Sequence, residues 1–167
     1  MKKRIRIWQL VGFAVTSLFG TLLHFLYEWT NEAIWIAPFS GVNESTWEHM
    51  KLLFFPMYLY SLFASKNLKK TYPCISSSMA FGTLLGTFLI PVLFYTYSGI
   101  LGFNIPIIDI STFYISVIIS FFVVYKTTIS CSLNTYKVLF DILLFIMAVL
   151  FIIFSVFPPD IALFKAP

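Results

Sequence analysis

The sequence predicts an all-α fold, a polytopic transmembrane bundle of five helices that forms a single domain over residues 1–167. Three observations lead to this fold class. The chain is 59% hydrophobic and only 11% charged, whereas a soluble domain carries about 25% charged residues. Aromatic residues make up 20% of it, which suits a surface in contact with lipid. The apolar residues form long runs without the alternation of a membrane β-barrel, so each run is expected to be helical.

Five of these runs are long enough to cross a bilayer, because a hydrocarbon core of about 30 Å needs about 20 helical residues. The first follows a basic N-terminus, but it exceeds the ~7–15 residues of a signal-peptide core and no A-x-A-like cleavage site follows it. We therefore expect it to be retained as a transmembrane helix. The predicted helices span residues 7–29, 45–64, 75–97, 109–125 and 138–157.

Two features concern the third helix and the connection that follows it. Gly82 and Gly86 have the small-xxx-small spacing that allows helices to approach closely. The stretch Phe94–Asp109 is apolar and is interrupted by Gly and Pro. We expect this stretch to lie in the membrane interface or to dip back between helices.

Cys74 and Cys131 have no metal-ligand spacing and form no disulfide framework, so we expect both cysteines to serve as small apolar or loop residues.

The basic residues predict the orientation. With the N-terminus inside, the outer side keeps only Lys51 and Lys165. The inner segments hold the other nine basic residues: Lys2, Lys3, Arg4, Arg6, Lys66, Lys69, Lys70, Lys126 and Lys137. This distribution predicts an inner N-terminus and an outer C-terminus. The net charge of +4 therefore reflects membrane topology, and we expect membrane lipid as a partner and no nucleic acid.

Both histidines and four of the seven acidic residues lie between Leu22 and Lys51. His24 and Glu28 are four residues apart on the first helix, and therefore on one face. Asn43 or Ser45 can cap the second helix, and Ser45 to Glu48 fits a capping box, which gives Glu48 a structural role.

Capping does not account for two ionisable residues, His49 and Lys51, which lie at the start of an apolar run. They fall at the same depth as His24 and Glu28, slightly inside the outer boundary, where ionisable side chains usually face the bundle interior. We expect Lys51 to pair with a carboxylate, from Glu28, Glu44 or Glu48.

Three interpretations of this group remain open. In the first, His24, Glu28, His49 and either Glu44 or Glu48 bind a divalent metal such as zinc, for which imidazole and carboxylate are suitable ligands. In the second, the group works without metal as an acid–base pair or proton relay. In the third it is a structural polar network. The candidate catalytic residues are His24, Glu28, Glu48, His49 and Lys51, and the candidate metal ligands are His24, Glu28, Glu44 and His49.

Other residues lie close to this group. Asp109, at the outer start of the fourth helix, could join it, although we expect capping. The segment Ala33–Phe39 between Trp29 and Trp47 is expected to lie in the interface over the site, as an anchor or as a lid. The motif H-E-x-x-H is absent, no G-x-S-x-G or S-x-x-K selects a serine nucleophile, and no organic cofactor site is predicted.

Four stretches together resemble a known family: "GTLLHFLYEW", "VNESTWEHMKLLFFPM", "FYTYSGILG" and "FPPDIALFK". They are similar to domain-of-unknown-function family 6512, a family of small multi-pass bacterial membrane proteins. The resemblance extends over nearly the whole chain, and the N-E-S-x-W-E-H block is its most specific part. It implies a five-helix protein of the bacterial inner or plasma membrane, and it carries over no activity, cofactor or partner.

The sequence supports three hypotheses about function. The first is a membrane hydrolase or transferase that acts on a lipid or lipid-linked substrate at the outer leaflet, through the His/Glu group. The alternative is a non-catalytic structural or complex-forming membrane protein. A small transporter or channel is the third hypothesis. It ranks last because a transport path would need polar residues at mid-membrane depth, whereas the ionisable groups gather at one rim of the bundle.

Overall fold

The computed structural model describes residues 2–166, and this part of the chain contains five α-helices, two short 3₁₀ turns and no strand. The all-α prediction is thereby confirmed. The predicted helices are found with longer bounds for the first four. They are α1 (Lys2–Trp29), α2 (Thr46–Leu68), α3 (Ile75–Leu101), α4 (Pro106–Ser130) and α5 (Lys137–Val156), and the 3₁₀ turns are Asn134–Tyr136 and Ala162–Phe164.

Four helical segments in the described chain are long and apolar enough to cross a membrane: α1, α3, α4 and the segment Asn134–Val156 that includes α5. The second predicted span, α2, does not belong to this group because it carries Glu48, Lys51 and Lys66. Fifteen of the 23 residues of α2 are buried, since α1 and α3 pack closely against it and Phe151 of α5 contacts Phe54. Protein rather than lipid therefore surrounds most of α2, and its polar residues are compatible with that position.

Helices α1 and α2 contact each other at both ends of the bundle. Trp8 at the start of α1 packs on Phe63 near the end of α2, with ring centroids 5.6 Å apart. His24 near the end of α1 stacks on His49 at the start of α2, also with centroids 5.6 Å apart. The end formed by the last turns of α1, α3 and α5 and the first turns of α2 and α4 is called the histidine end below.

Helices α3 and α4 approach closely at two glycines, which confirms the expectation from their spacing. Gly82 lies against Val124 and against the backbone oxygen of Ser120. Gly86 lies against the Ser120 hydroxyl and the side chain of Leu53 from α2. A side chain at either glycine would push α4 away, so this spacing sets the separation of the two helices.

The connection between α3 and α4 corrects one prediction. Phe94–Asp109 does not form a long interfacial or re-entrant loop, because α3 continues to Leu101 and α4 already begins at Pro106. Gly102 ends α3 in the left-handed region, with φ 79° and its N–H bonded to the Ser98 oxygen at 2.7 Å. Pro106 begins α4, where the first turn needs no N–H donor. The apolar residues of this stretch extend both helices instead of forming a loop.

The two cysteines correct another prediction, because they form a disulfide. Cys74 precedes α3 and Cys131 follows α4, and their Cα atoms are 5.4 Å apart. This separation is usual for a disulfide. The pairing joins two residues that are 57 positions apart in the sequence. It arises because α3 and α4 are antiparallel, so that the start of one lies beside the end of the other.

We predict that Gly20→Ala destabilises the bundle next to the histidine end. A Cβ at Gly20 would lie 2.6 Å from the backbone oxygen of Leu52 and 2.6 Å from the Phe113 ring. Overpacking of this kind costs about 1–3 kcal/mol, which lowers the melting temperature by about 2–4 °C per kcal/mol in a chain of this size. Thermal unfolding of the purified protein in detergent measures the change.

Gly99→Ala is the matched control, because nothing lies within 4 Å of the Cβ it would add. That variant should keep or slightly raise the melting temperature, since alanine favours a helix more than glycine does. Equal melting temperatures for the two variants would contradict the close contact of α1 with α2 and α4.

Candidate functional site

The segment between α1 and α2 is fastened to the end of α1. It turns back through Asn31 and Glu32, which both adopt positive φ angles, 52° and 59°. Ser40 is fully buried, and its hydroxyl donates to the Leu23 oxygen and accepts from the Tyr27 N–H at 3.0 Å. These bonds hold the residues that precede α2 against the last turns of α1, where His24 lies.

The predicted interfacial segment Ala33–Phe39 consists of turns in this connection. Ile36 and Ala37 are buried, whereas Ile34 and Trp35 are exposed. This pattern fits an anchored segment with an apolar outer surface.

The start of α2 is capped differently from the predicted capping box. The Ser45 hydroxyl accepts from the Glu48 N–H at 3.4 Å, as predicted. The Glu48 carboxylate does not return to the Ser45 N–H, which donates to the Asn43 side-chain oxygen at 2.8 Å. Glu48 instead accepts from the Val42 N–H at 2.8 Å. One half of the capping box is therefore confirmed, and Glu48 fixes the connection before the helix.

Lys51 and Glu48 form a buried ion pair, with 2.6 Å between the Lys51 Nζ and a Glu48 oxygen. Of the three expected partners, Glu48 is the one that Lys51 contacts. The Lys51 side chain is fully buried, and its Nζ also donates to the Ala37 oxygen at 2.7 Å and to the Ser155 hydroxyl at 2.9 Å. The ammonium thus joins α2, the preceding connection and the end of α5.

Three side chains of the predicted group converge at the histidine end. His24, Glu44 and His49 each offer a ligand atom, and these atoms lie within 4.8 Å of one another. The Nε2 atoms of His24 and His49 are each 3.5 Å from a different oxygen of Glu44. The Nδ1 of His49 lies 3.1 Å from the Ser45 oxygen. If Nδ1 donates in this bond, the His49 Nε2 keeps a free lone pair directed at the cluster.

The types of side chain in this cluster are ones that bind zinc, and their spacing can be compared with that of a zinc site. Zinc bonds to imidazole nitrogen at about 2.0–2.1 Å and to carboxylate oxygen at about 2.0–2.2 Å, so two ligand atoms of a tetrahedral site lie about 3.4 Å apart. Each histidine lies at about this distance from Glu44, but from a different carboxylate oxygen. One ligand atom from each of the three residues spans up to 4.8 Å, so the side chains would draw closer together around an ion. Three protein ligands leave one position open, as in catalytic zinc sites, whereas structural sites use four protein ligands.

Glu28, the fourth predicted metal ligand, lies outside this group. It is exposed, and it takes part in no ion pair within residues 2–166. His24 and Glu28 do share a face of α1, but the connection carries Glu44 to His24 instead. Glu48 and Lys51, two of the predicted catalytic residues, bond to each other and to the frame around them. Neither lines the cavity described next.

A cavity of ≈ 610 Å³ opens beside the cluster, between α1, α2, α3 and α4. This volume is typical of small-molecule sites. Its polar lining consists of His24, Thr21, Glu44, Thr46, His49, Asn104, Asp109, Thr112 and Tyr114. The larger apolar part includes Phe25, Leu52, Ile90, Phe94, Ile110 and Phe113. The cluster therefore stands at the polar wall of a mostly apolar chamber.

Asp109 is placed at this cavity but not as a helix cap. The N-cap of α4 is Ile105, without a side-chain bond. The Asp109 carboxylate instead accepts from the Tyr97 hydroxyl and from the Asn104 side-chain N–H at 3.1 Å. Sequence reasoning missed Asn104 and Tyr97. Their signal was weak, since both lie in the stretch that was expected to form a loop.

The fold and the cavity indicate the class of the protein. It is an all-α protein with apolar helices long enough to cross a membrane and a His/Glu cluster at one end of the bundle. The particular family follows from comparison with known sequences. The chain belongs to the family described as "Family of unknown function (DUF6512)", which matches residues 1–167. The resemblance seen in the sequence is thus confirmed. No curated protein and no solved structure matches the chain.

We predict that Lys51→Met strongly destabilises the protein. The substitution leaves the Glu48 carboxylate buried without its cation, and breaking a buried pair in this way costs about 3–5 kcal/mol. The double variant Glu48→Gln, Lys51→Met removes both charges and should recover much of the loss. Chemical or thermal unfolding in detergent measures both effects.

The control is Lys165→Met, which breaks the exposed pair of Lys165 with Asp160. Exposed pairs contribute little, so this variant should unfold like the wild type. If Lys51→Met is no less stable than Lys165→Met, the buried pair does not hold the histidine end together.

Proposed function

We propose that the protein is a membrane enzyme in which His24, Glu44 and His49 bind a divalent metal such as zinc. It would act as a hydrolase or transferase on a lipid or lipid-linked substrate. The observation that carries this proposal is the position of three ligand atoms within 4.8 Å of one another at the wall of the ≈ 610 Å³ cavity. When bound, the metal would polarise a substrate oxygen or activate a water molecule.

The residues of the chain supply the rest of the site. The Ser45 oxygen would orient His49 as a ligand, which is the usual role of a backbone acceptor behind a metal-bound imidazole. Ser40 holds the connection that carries Glu44. The apolar lining would exclude water and hold the hydrocarbon part of a substrate, and this supports a lipid over a small polar substrate.

The topology that we propose is five spans in the bacterial inner or plasma membrane, with α2 crossing beside the more apolar helices. The N-terminus lies inside and the C-terminus outside, as the basic residues predict. Two facts support the five spans. Four helical segments are long and apolar enough to cross, and α2 packs between its neighbours over a similar length. The cavity would then face the outer leaflet.

A second function is supported by the ion-pair geometry. Glu44 lies 3.5 Å from both histidines, so its contacts with the two rings would hold α1 to α2 without any metal. In that case the cluster is structural, and the protein is a non-catalytic component of the membrane. The metal content of the purified protein separates the two functions.

We predict one zinc ion per chain after zinc loading and removal of excess metal, measured by inductively coupled plasma mass spectrometry. His24→Ala and His49→Ala should each lower the zinc content to background, because two ligands cannot hold the ion. Zinc should also raise the melting temperature of the wild type, since it binds the folded state.

Glu28→Gln is the matched control, because Glu28 follows His24 by one helical turn but lies outside the cluster. It should keep its zinc, whereas Glu44→Gln should lose it. A wild-type protein that binds no zinc, or histidine variants that keep it, would contradict the metal site and favour the structural network.

We predict that a cysteine at Val42 is labelled by an impermeant maleimide added outside intact cells, and that a cysteine at Lys69 is not. Both positions are exposed, and they lie at opposite ends of α2. The two native cysteines are paired, so the wild type is the unlabelled control. Labelling of Lys69→Cys from outside, with Val42→Cys protected, would reverse the proposed orientation.

A further inference from the structure

The charge of the cavity lining limits the headgroup that it can accept. Two carboxylates, Glu44 and Asp109, line the cavity, and its described lining includes no lysine or arginine. The two cations at this end are already paired. Lys51 bonds to Glu48 at 2.6 Å and Lys165 bonds to Asp160 at 2.7 Å. If a metal ion binds Glu44, the Asp109 carboxylate still lines the cavity with no lysine or arginine from that lining paired to it.

Asp109 is held in place by its neighbours. The Tyr97 hydroxyl donates to one of its oxygens, and the Asn104 side-chain N–H donates to the other at 3.1 Å. Tyr97 is itself fixed, because its oxygen accepts from the Ile105 N–H at 3.3 Å. Each carboxylate oxygen can accept a further bond, and the Asn104 side-chain oxygen is another acceptor. Such a group of acceptors suits a primary ammonium, which has three donors.

The apolar part of the cavity reaches the outer surface of the bundle. Phe25 on α1 and Ile110 on α4 both line it, and their side chains are 42% and 60% exposed. One helical turn deeper the two helices are joined, because the Thr21 and Tyr114 hydroxyls lie 3.1 Å apart. The rim between α1 and α4 is therefore apolar and borders on the membrane in the proposed topology. A hydrocarbon chain can enter there.

We propose that the cavity binds a lipid whose headgroup carries a primary ammonium, such as a phosphatidylethanolamine. The ammonium bonds to Asp109 and Asn104, the phosphate lies towards His24 and His49, and the acyl chains leave between Phe25 and Ile110. This inference names the substrate class of the proposed enzyme and rests on that proposal for the lipid character of the ligand. The preference for a primary ammonium rests on the lining charges and on the acceptors of Asp109 and Asn104.

The test is native mass spectrometry of the full chain in detergent, titrated with dioleoylphosphatidylethanolamine or with dioleoylphosphatidylcholine, whose quaternary ammonium carries the same charge but no N–H donor. We expect the first lipid to bind about tenfold more tightly, the usual contribution of one bond to a charged group. Asp109→Asn should abolish this preference. Glu28→Gln, which removes an exposed carboxylate outside the cavity lining, should keep it.

Two further measurements keep the result unambiguous. Asn104→Leu removes an acceptor and should weaken the preference, which covers the case in which Asp109→Asn does not fold. Glycerophosphoethanolamine, the same headgroup without chains, should not compete at equal concentration. Equal binding of the two lipids, a preference that survives Asp109→Asn, or competition by the chainless headgroup would each overturn the proposal.

The zinc content of the same samples separates this inference from the proposed function. Zinc binding without an ethanolamine preference overturns only the headgroup assignment. If the protein binds no zinc but shows an ethanolamine preference that depends on Asp109, the headgroup assignment is supported and the proposed metal enzyme is contradicted.

Discussion

The buried ion pair of Lys51 with Glu48 is the interaction on which the histidine end depends. A charged side chain at this depth must be paired and hydrogen-bonded, or the helix that carries it cannot be buried. Lys51 meets this requirement with Glu48, the Ala37 oxygen and the Ser155 hydroxyl. The bonds to the Ala37 oxygen and the Ser155 hydroxyl also fasten the preceding connection and the end of α5 to α2.

The geometry of the cluster follows from this pair. Glu48 accepts from the Val42 N–H, two residues before Glu44, and Ser40 ties the same segment to the end of α1. Glu44 lies between the Val42 anchor and Ser45, the N-cap of α2, so the chain on both sides of it is fixed and Glu44 is held between His24 and His49. The residues at the start of α2 thus divide their roles. Glu48 and Lys51 hold the frame, and Glu44 and His49 face the cavity.

Much of this could be predicted from the sequence, because a bilayer restricts the possible structures so strongly. The length of each apolar run predicted the helices, and the depth of His24 and His49 on consecutive antiparallel helices predicted that they lie at the same level. Their stacking depends on the rotation of the two helices, which the sequence does not give. The sequence could not predict that Glu44, and not Glu28, lies beside the two histidines. It depends on the path of the connection, and two residues with positive φ, Asn31 and Glu32, turn this connection back over α1. The Cys74–Cys131 pairing likewise depends on the tertiary packing of α3 against α4.

Zinc-edge X-ray absorption of the zinc-loaded wild type tests the central claim, that the two histidines and Glu44 bind a metal. The account predicts nitrogen and oxygen ligands at about 2.0–2.2 Å and the scattering pattern of two imidazoles. A spectrum without imidazole, or one with sulfur ligands, would contradict it.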